Sequence, residues 1–271
     1  MRPTERVLRE GKGSVFVPKI DRYSLLISGI PKEEFDRVQG RALSIYRAFK
    51  SINCDGVFVK ADVVLSFVGS GQLGKHAVDE EDLYKHGMVK ATVEVIKRLS
   101  AMVGPGHEVL CILHGPRLLE REMNVSVHDL IASIDNLSLL ERLYLEAGCT
   151  AILLIEDVTS YEELENLGVL TRVSKHYDSH ILIKSKRVLE REAFETAHRA
   201  GFDFIGPASD RRHKDVGLLV SLDLTDRSLS EAISQIRELM CEVPIFVTTE
   251  SEVAETTRLQ DLKKVVEALK K

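Results

Sequence analysis

The sequence predicts an α/β chain folded as a single TIM (β/α)8 barrel, and three observations lead there. A helix-to-strand turn recurs in Phe49-Lys-Ser-Ile-Asn-Cys54-Asp-Gly-Val-Phe-Val-Lys-Ala-Asp62, in Leu145-Glu-Ala-Gly-Cys-Thr-Ala-Ile-Leu-Leu-Ile-Glu-Asp157 and in Ala197-His-Arg-Ala-Gly201-Phe-Asp-Phe-Ile-Gly-Pro-Ala-Ser-Asp210. The apolar run Ala151 to Ile155 is continuous, as in a parallel strand covered on both faces. Counting from Ser14, about eight strand-like segments alternate with helical ones, the number that closes a parallel barrel. A chain of 271 residues suits one such domain.

Each element follows from local chemistry. Residues 1–13 are charged and carry Gly11 and Gly13, so they read as a mobile or lightly docked lead to a barrel spanning 14–271. Ser14 to Val17 is the first strand, and Pro18, Lys19, Asp21 and Arg22 fall in the loop after it. Phe35, Val38, Ala42, Ile45 and Phe49 recur at helical spacing and predict a helix over Glu33 to Ser51. The second strand, Val57 to Ala61, ends at Asp62. The next stretch spells G-x-G-x-x-G at Gly69, Gly71 and Gly74, but it neither follows the strand directly nor opens a helix, so it reads as a flexible loop. A helix over Glu81 to Ala101 is ended by Gly104-Pro105-Gly106. Val109 to Leu113 is the third strand. Helical pieces over Ser126 to Ile134 and Leu137 to Ala147 lead to the fourth, and Ser160 with Glu163 has capping-box spacing at the start of the next helix. Further strands fall at Ile181 to Lys184, Phe204 to Gly206, Leu218 to Leu222 and Ile245 to Thr248. The helices between and after them lie near Tyr161 to His176, Leu189 to Ala200, Ser228 to Met240 and Leu259 to Lys271. The link from Gly206 to Leu218 is polar and too short for a normal helix, so it either lies over the site or covers the sheet edge.

Composition narrows the function. The chain is 44% hydrophobic and 29% charged with a net charge of −5, and no apolar run reaches the roughly 18 residues of a membrane span. Lys and Arg are dispersed among Asp and Glu, which argues against nucleic acid as a partner. The N-terminus lacks the apolar segment of a secretory signal, so a cytoplasmic protein is expected. Cys54, Cys111, Cys149 and Cys241 have no close-pair spacing and read as small apolar residues, not a zinc finger or thiol redox motif.

Barrel chemistry gathers at the C-terminal ends of strands. Those ends carry Asp62, His114, Arg117, Glu156, Asp157, Lys184, Lys186, Ser209, Asp210, Arg211, Asp223, Thr248 and Glu250, a mixed charge suited to a small anionic ligand. Lys60 shares a strand face with Asp62 by period-two alternation. His114 and Arg117 are of the kind that holds an anion or moves a proton. Lys184 and Lys186 share a strand face and would meet carboxylates either of a ligand or of Glu156 or Asp210. Glu156 and Asp157 point to opposite faces, so one alone would face the pocket and no metal site is expected.

Cys54-Asp-Gly-Val-Phe-Val-Lys-Ala-Asp62-Val-Val, His114-Gly115-Pro116, Ser221-Leu-Asp223 and Thr256 to Leu269 resemble, in order and position, the uroporphyrinogen decarboxylase superfamily, which also holds the cobamide-dependent methyltransferases. The resemblance implies a methyltransferase-type enzyme acting on a corrinoid, tetrapyrrole or other anionic ligand. Asp62 would orient the ligand, His114 would be a second catalytic residue, and Lys184, Lys186 and Arg117 would neutralise ligand carboxylates. A corrinoid is the cofactor it suggests, free or on a corrinoid protein. Where the family's methyltransferases bind zinc, this chain reads Leu182-Ile-Lys184-Ser-Lys186 and Val247-Thr-Thr-Glu250, so zinc is not expected. That substitution opens a second reading, a non-catalytic corrinoid- or tetrapyrrole-binding accessory protein. Third, Leu154-Ile-Glu156-Asp157 followed by Ile181-Leu-Ile-Lys is similar to the magnesium-dependent phosphoenolpyruvate mutase and isocitrate lyase barrels.

Overall fold

The computed structural model describes residues 1–60, 80–123, 130–158, 160–209, 216–224 and 229–270. Eight parallel strands form one sheet in the order β1-β8-β7-β6-β5-β4-β3-β2. They are β1 Gly13–Phe16, β2 Gly56–Lys60, β3 Glu108–His114, β4 Ala151–Glu156, β5 His180–Leu189, β6 Phe204–Ala208, β7 Gly217–Leu222 and β8 Pro244–Thr249. The single (β/α)8 barrel is therefore present, with every expected strand in place.

Among the described residues no ladder pairs β1 with β2, and Asp55 bridges that seam. Its N–H donates to the Phe16 carbonyl at 3.1 Å, and its carboxylate accepts the Phe16 N–H at 2.8 Å. A side chain thus supplies the bond that a neighbouring strand would otherwise make.

The recurring turn has one physical basis. Asn53, Gly148 and Gly201 take φ of 62°, 106° and 102°, the left-handed conformation that ends a helix. At Gly148 the termination is doubly bonded, Gly148 N–H to Leu145 O at 2.9 Å and Cys149 N–H to Tyr144 O at 3.0 Å. The strands that follow alternate between two apolar clusters. Val15, Phe58, Leu110, Leu153, Leu182, Phe204, Leu219 and Phe246 fill the barrel interior. Val57, Val109, Ile152, Leu154, Ile181 and Ile183 pack outward on the helices. Cys54, Cys111 and Cys149 are buried, while Cys241 is exposed.

The helices depart from expectation in instructive ways. Residues expected as a loose lead include helix α1, Pro3–Glu10, whose Val7 is buried in the interior cluster and whose Thr4 N–H donates to Glu108 at 2.9 Å. The stretch after β1 is not all loop: α2, Asp21–Ser28, ends at left-handed Gly29 and buries Tyr23. The single helix expected from Glu33 is divided into α3, Lys32–Phe35, and α4, Val38–Ile52. The next helix is likewise two pieces, α5, Glu80–Lys85, and α6, Gly87–Val103. Pro116 opens the unanticipated α7, Pro116–Met123, at the position where a missing N–H costs nothing. Conversely, α8 runs unbroken over Leu130–Glu146, because Asn136 is accommodated as a buried residue inside it. Then come α9, Tyr161–Asn166, and α10, Gly168–His176, the first opened by the expected capping box of Ser160 and Glu163. The remaining helices are α11, Arg191–Ala200, α12, Leu229–Leu239, and α13, Leu259–Lys270. No described helix is long and apolar enough to cross a membrane.

Candidate active site at the barrel mouth

Strand parity decides which side chains reach the mouth. Val15 and Val17, Phe58, Ile112 and Leu182 belong to the barrel interior. Two residues further on each of these lines stand Lys19, Lys60, His114 and Lys184. An apolar floor therefore carries a layer of basic groups, and Glu250 and Glu252 face it from the end of β8.

Two cavities open at this level. The first, about 250 Å3, is lined by Lys184, Ser185, Lys186, Gly206, Ser221 and Glu250 among others. The second, about 200 Å3, has Phe58, Ile112 and Ile155 as apolar walls and Lys19, Lys60, Asp21, His114 and Glu252 as polar ones. Buried Lys184 lies between carboxylate and carbonyl of Glu250, its Nζ 2.9 Å from Oε2. Lys19 Nζ donates to the same Glu250 carbonyl at 3.2 Å.

Crowded cations on an apolar floor shift titration. Burial, then the Lys184 ammonium, bring Lys19 down to about 7 against the pull of Glu250. Burial likewise holds His114 below its ordinary value. Glu122 opposes that shift, and Lys60, Lys186 and Lys19 reinforce it. Its Nδ1 is buried with no hydrogen-bond partner among the described residues. Burial opposes the Glu250 charge, yet the hydrogen bond from Lys184 and the fields of Lys184, Lys19 and Lys186 keep its pKa below the usual carboxylate value. Burial and the neighbouring cations thus favour the neutral form of His114, and Lys19 is partly a free amine near pH 7, beside cations able to hold an anion.

Of the residues expected in the site, Lys60, His114, Lys184, Lys186 and Glu250 line these cavities. Lys184 pairs with Glu250, not with Glu156, and exposed Lys186 lies 3.6 Å from Glu122. Asp62, Asp210 and Arg211 lie outside the described residues, as does the Gly69 to Gly74 loop.

Others serve the scaffold. Glu156 lies on the outer parity of β4, where it accepts N–H groups of Leu118 at 2.7 Å, Asp157 at 2.8 Å and Arg117 at 3.4 Å, holding the start of α7. Burial raises its pKa to about 7 even so. Asp157 is clamped between Arg121 at 2.7 Å and Arg187 at 3.0 Å. Arg117, expected to meet a ligand, is engaged by Glu163 at 2.6 Å and Glu120 at 2.8 Å. Ser209 is exposed and bonds the Leu189 carbonyl through its N–H at 2.9 Å and its hydroxyl at 3.2 Å. Asp223 is exposed beside a smaller depression with Thr249 and Ser251, and Thr248 is fully buried.

Lys19 and Glu252 were not singled out from the sequence. The signal for Lys19 was available: it continues the Val15, Val17 alternation through Pro18. The mouth's shape at this edge depends on Arg41, which binds the Asp21 carboxylate and the Lys60 carbonyl at 3.0 Å, tying α4 and α2 to the end of β2.

No protein-family model matches the sequence, and no curated protein sequence does. Among solved structures, a methyltransferase from Methanosarcina mazei matches over 95% of this chain and 93% of its own, with a TM-score of 0.71 at 15% identity. In fold, this chain is similar to that methyltransferase. The carboxyl transferase domain of a Rhizobium etli pyruvate carboxylase matches 99% of this chain and 50% of its own, with a TM-score of 0.56 at 8% identity. At such identities the likeness is one of fold, and residue roles have to come from the site itself.

Proposed function

We propose that this chain is a methyltransferase-type enzyme of the uroporphyrinogen decarboxylase superfamily whose barrel mouth holds an anionic ligand, a corrinoid or another carboxylate-bearing tetrapyrrole. The observation that carries the reading is the layer of Lys19, Lys60, His114 and Lys184 on an apolar floor at the strand ends. Basic groups held half-buried or buried there are worth more to an arriving carboxylate than the same groups in water, because the surroundings screen them less. Cavities of about 250 and 200 Å3 match carboxylate arms or a small anion better than a whole macrocycle, so a tetrapyrrole would lie across the rim with its acids directed inward.

A bound methylcorrinoid would supply the methyl group. Lys19 and Lys186 would hold acidic side arms, Glu250 would yield Lys184 to the ligand, and neutral His114 would take a proton from the methyl acceptor. A second reading, binding without turnover, is favoured by the internal pairing of Lys184 with Glu250 and of Arg117 with Glu163. Absorbance titration with cobyrinate followed by a demethylation assay of methylcorrinoid separates them. A saturable spectral change with demethylation that Lys19→Ala reduces is the expected result; binding without demethylation supports the accessory role. No spectral change would rule out both.

A further inference from the structure

We propose that Lys19 is an imine-forming lysine, whose amine condenses with the carbonyl group of a small anionic aldehyde or ketone in the cavity of about 200 Å3 that it shares with His114. This rests on the reading of the mouth as an anion site, but not on methyl transfer. The two lysines at Glu250 are held differently. Lys184 is buried and ion-paired with the Glu250 carboxylate at 2.9 Å. Lys19 Nζ meets the Glu250 carbonyl at 3.2 Å, an acceptor that an uncharged amine satisfies equally well. The cavity wall beside it is apolar at Ile20, Phe58, Ile112 and Ile155. A lysine desolvated on such a wall and set near other cations is one of the ways in which an amine becomes a nucleophile at neutral pH.

The reaction balances within the site. The Lys19 nitrogen adds to the carbonyl carbon and its proton passes to the oxygen, giving a carbinolamine. The C–O bond then breaks, the oxygen leaves as water after a second proton transfer, and a C=N bond remains. His114 lines the same cavity and is the group placed to relay both protons. Lys60 from β2 lines this cavity and Lys184 and Lys186 from β5 line the other one at the mouth, and together they supply positive charge for the substrate's acidic group. Asp21, Glu250 and Glu252 are the carboxylates that oppose it.

The test is reductive trapping on the full-length protein, with glyoxylate and cyanoborohydride, followed by intact mass and peptide mapping. One adduct per chain, on Lys19, is expected, with a pH midpoint near the value of about 7 to which Lys19 is depressed. Relative to an ordinary lysine this corresponds to roughly a thousandfold more free amine at pH 7. Lys19→Arg should abolish the adduct, while Lys184→Gln should retain it and move the midpoint upward, because a neighbouring positive charge is removed. Label spread over surface lysines, or an unchanged midpoint in Lys184→Gln, would overturn the proposal. If glyoxylate leaves Lys19 unmodified while uroporphyrin still binds, the imine fails and the anion site stands. Labelling of Lys19 by neutral propionaldehyde but not by glyoxylate would overturn the anionic substrate class and with it the anion site.

Discussion

Glu156 and Glu141 are both buried acids, and their surroundings give them different consequences. Glu156 accepts backbone N–H groups of Arg117, Leu118 and Asp157, so Glu156→Ala leaves buried donors unpaired and should cost about 1–3 kcal/mol by urea unfolding. Gly115 is required beneath it, since a Cβ there would lie 2.1 Å from Glu156 Oε2. Among the described residues Glu141 has only the Ser174 hydroxyl at 2.6 Å, and burial raises its pKa from 4.5 to about 8. With the folded pKa above the unfolded one, the folded state binds the extra proton. Its contribution is therefore present below about 4.5 and lost as pH rises through about 8. Unfolding curves at pH 6 and pH 8.5 should show the wild type losing stability between them and Glu141→Gln losing less; equal losses in both proteins would contradict this assignment.

At the scale of elements, helix α1 closes the barrel end opposite the mouth. Glu108 is fully buried there, accepting from the Thr4 N–H at 2.9 Å and from the hydroxyls of Thr4 and Thr150, each at 2.5 Å. Deleting residues 1–10 removes two of those donors and the buried Val7 together. The loss should be about 3–5 kcal/mol in a denaturant titration, from about 1–3 kcal/mol for buried acceptors left unpaired and about 1.5–3 kcal/mol for the burial of Val7. The sequence concealed this because α1 is short and highly charged, with few apolar residues to mark a periodicity. The strands were legible for the opposite reason: a strand buried on both faces is apolar at nearly every position, and its entry turn carries a left-handed residue. Helices divided at Asp36 and Arg37 or at Gly87, or continuing through a buried Asn136, depend on tertiary packing that local pattern does not encode.

Across the whole molecule, barrel topology brings strand ends together, and parity then decides which side chains can face the cavities at the mouth. His114, Lys60, Lys184, Lys186 and Glu250, expected at strand exits, do line those cavities. Parity sets Glu156 outward from the register of β4, but Arg117 lies beyond the end of β3, where Glu163, distant in sequence, determines what it holds. The central claim is that the mouth is an anion site whose strongest cation is restrained by Glu250. Fluorescence titration of uroporphyrin into the wild type and into Glu250→Gln tests it most directly. Removing the Glu250 charge frees Lys184 and ends a repulsion, so the variant should bind about tenfold more tightly, a gain of roughly 1.4 kcal/mol, and the gain should shrink with added salt. Unchanged or weaker binding by Glu250→Gln would contradict the account.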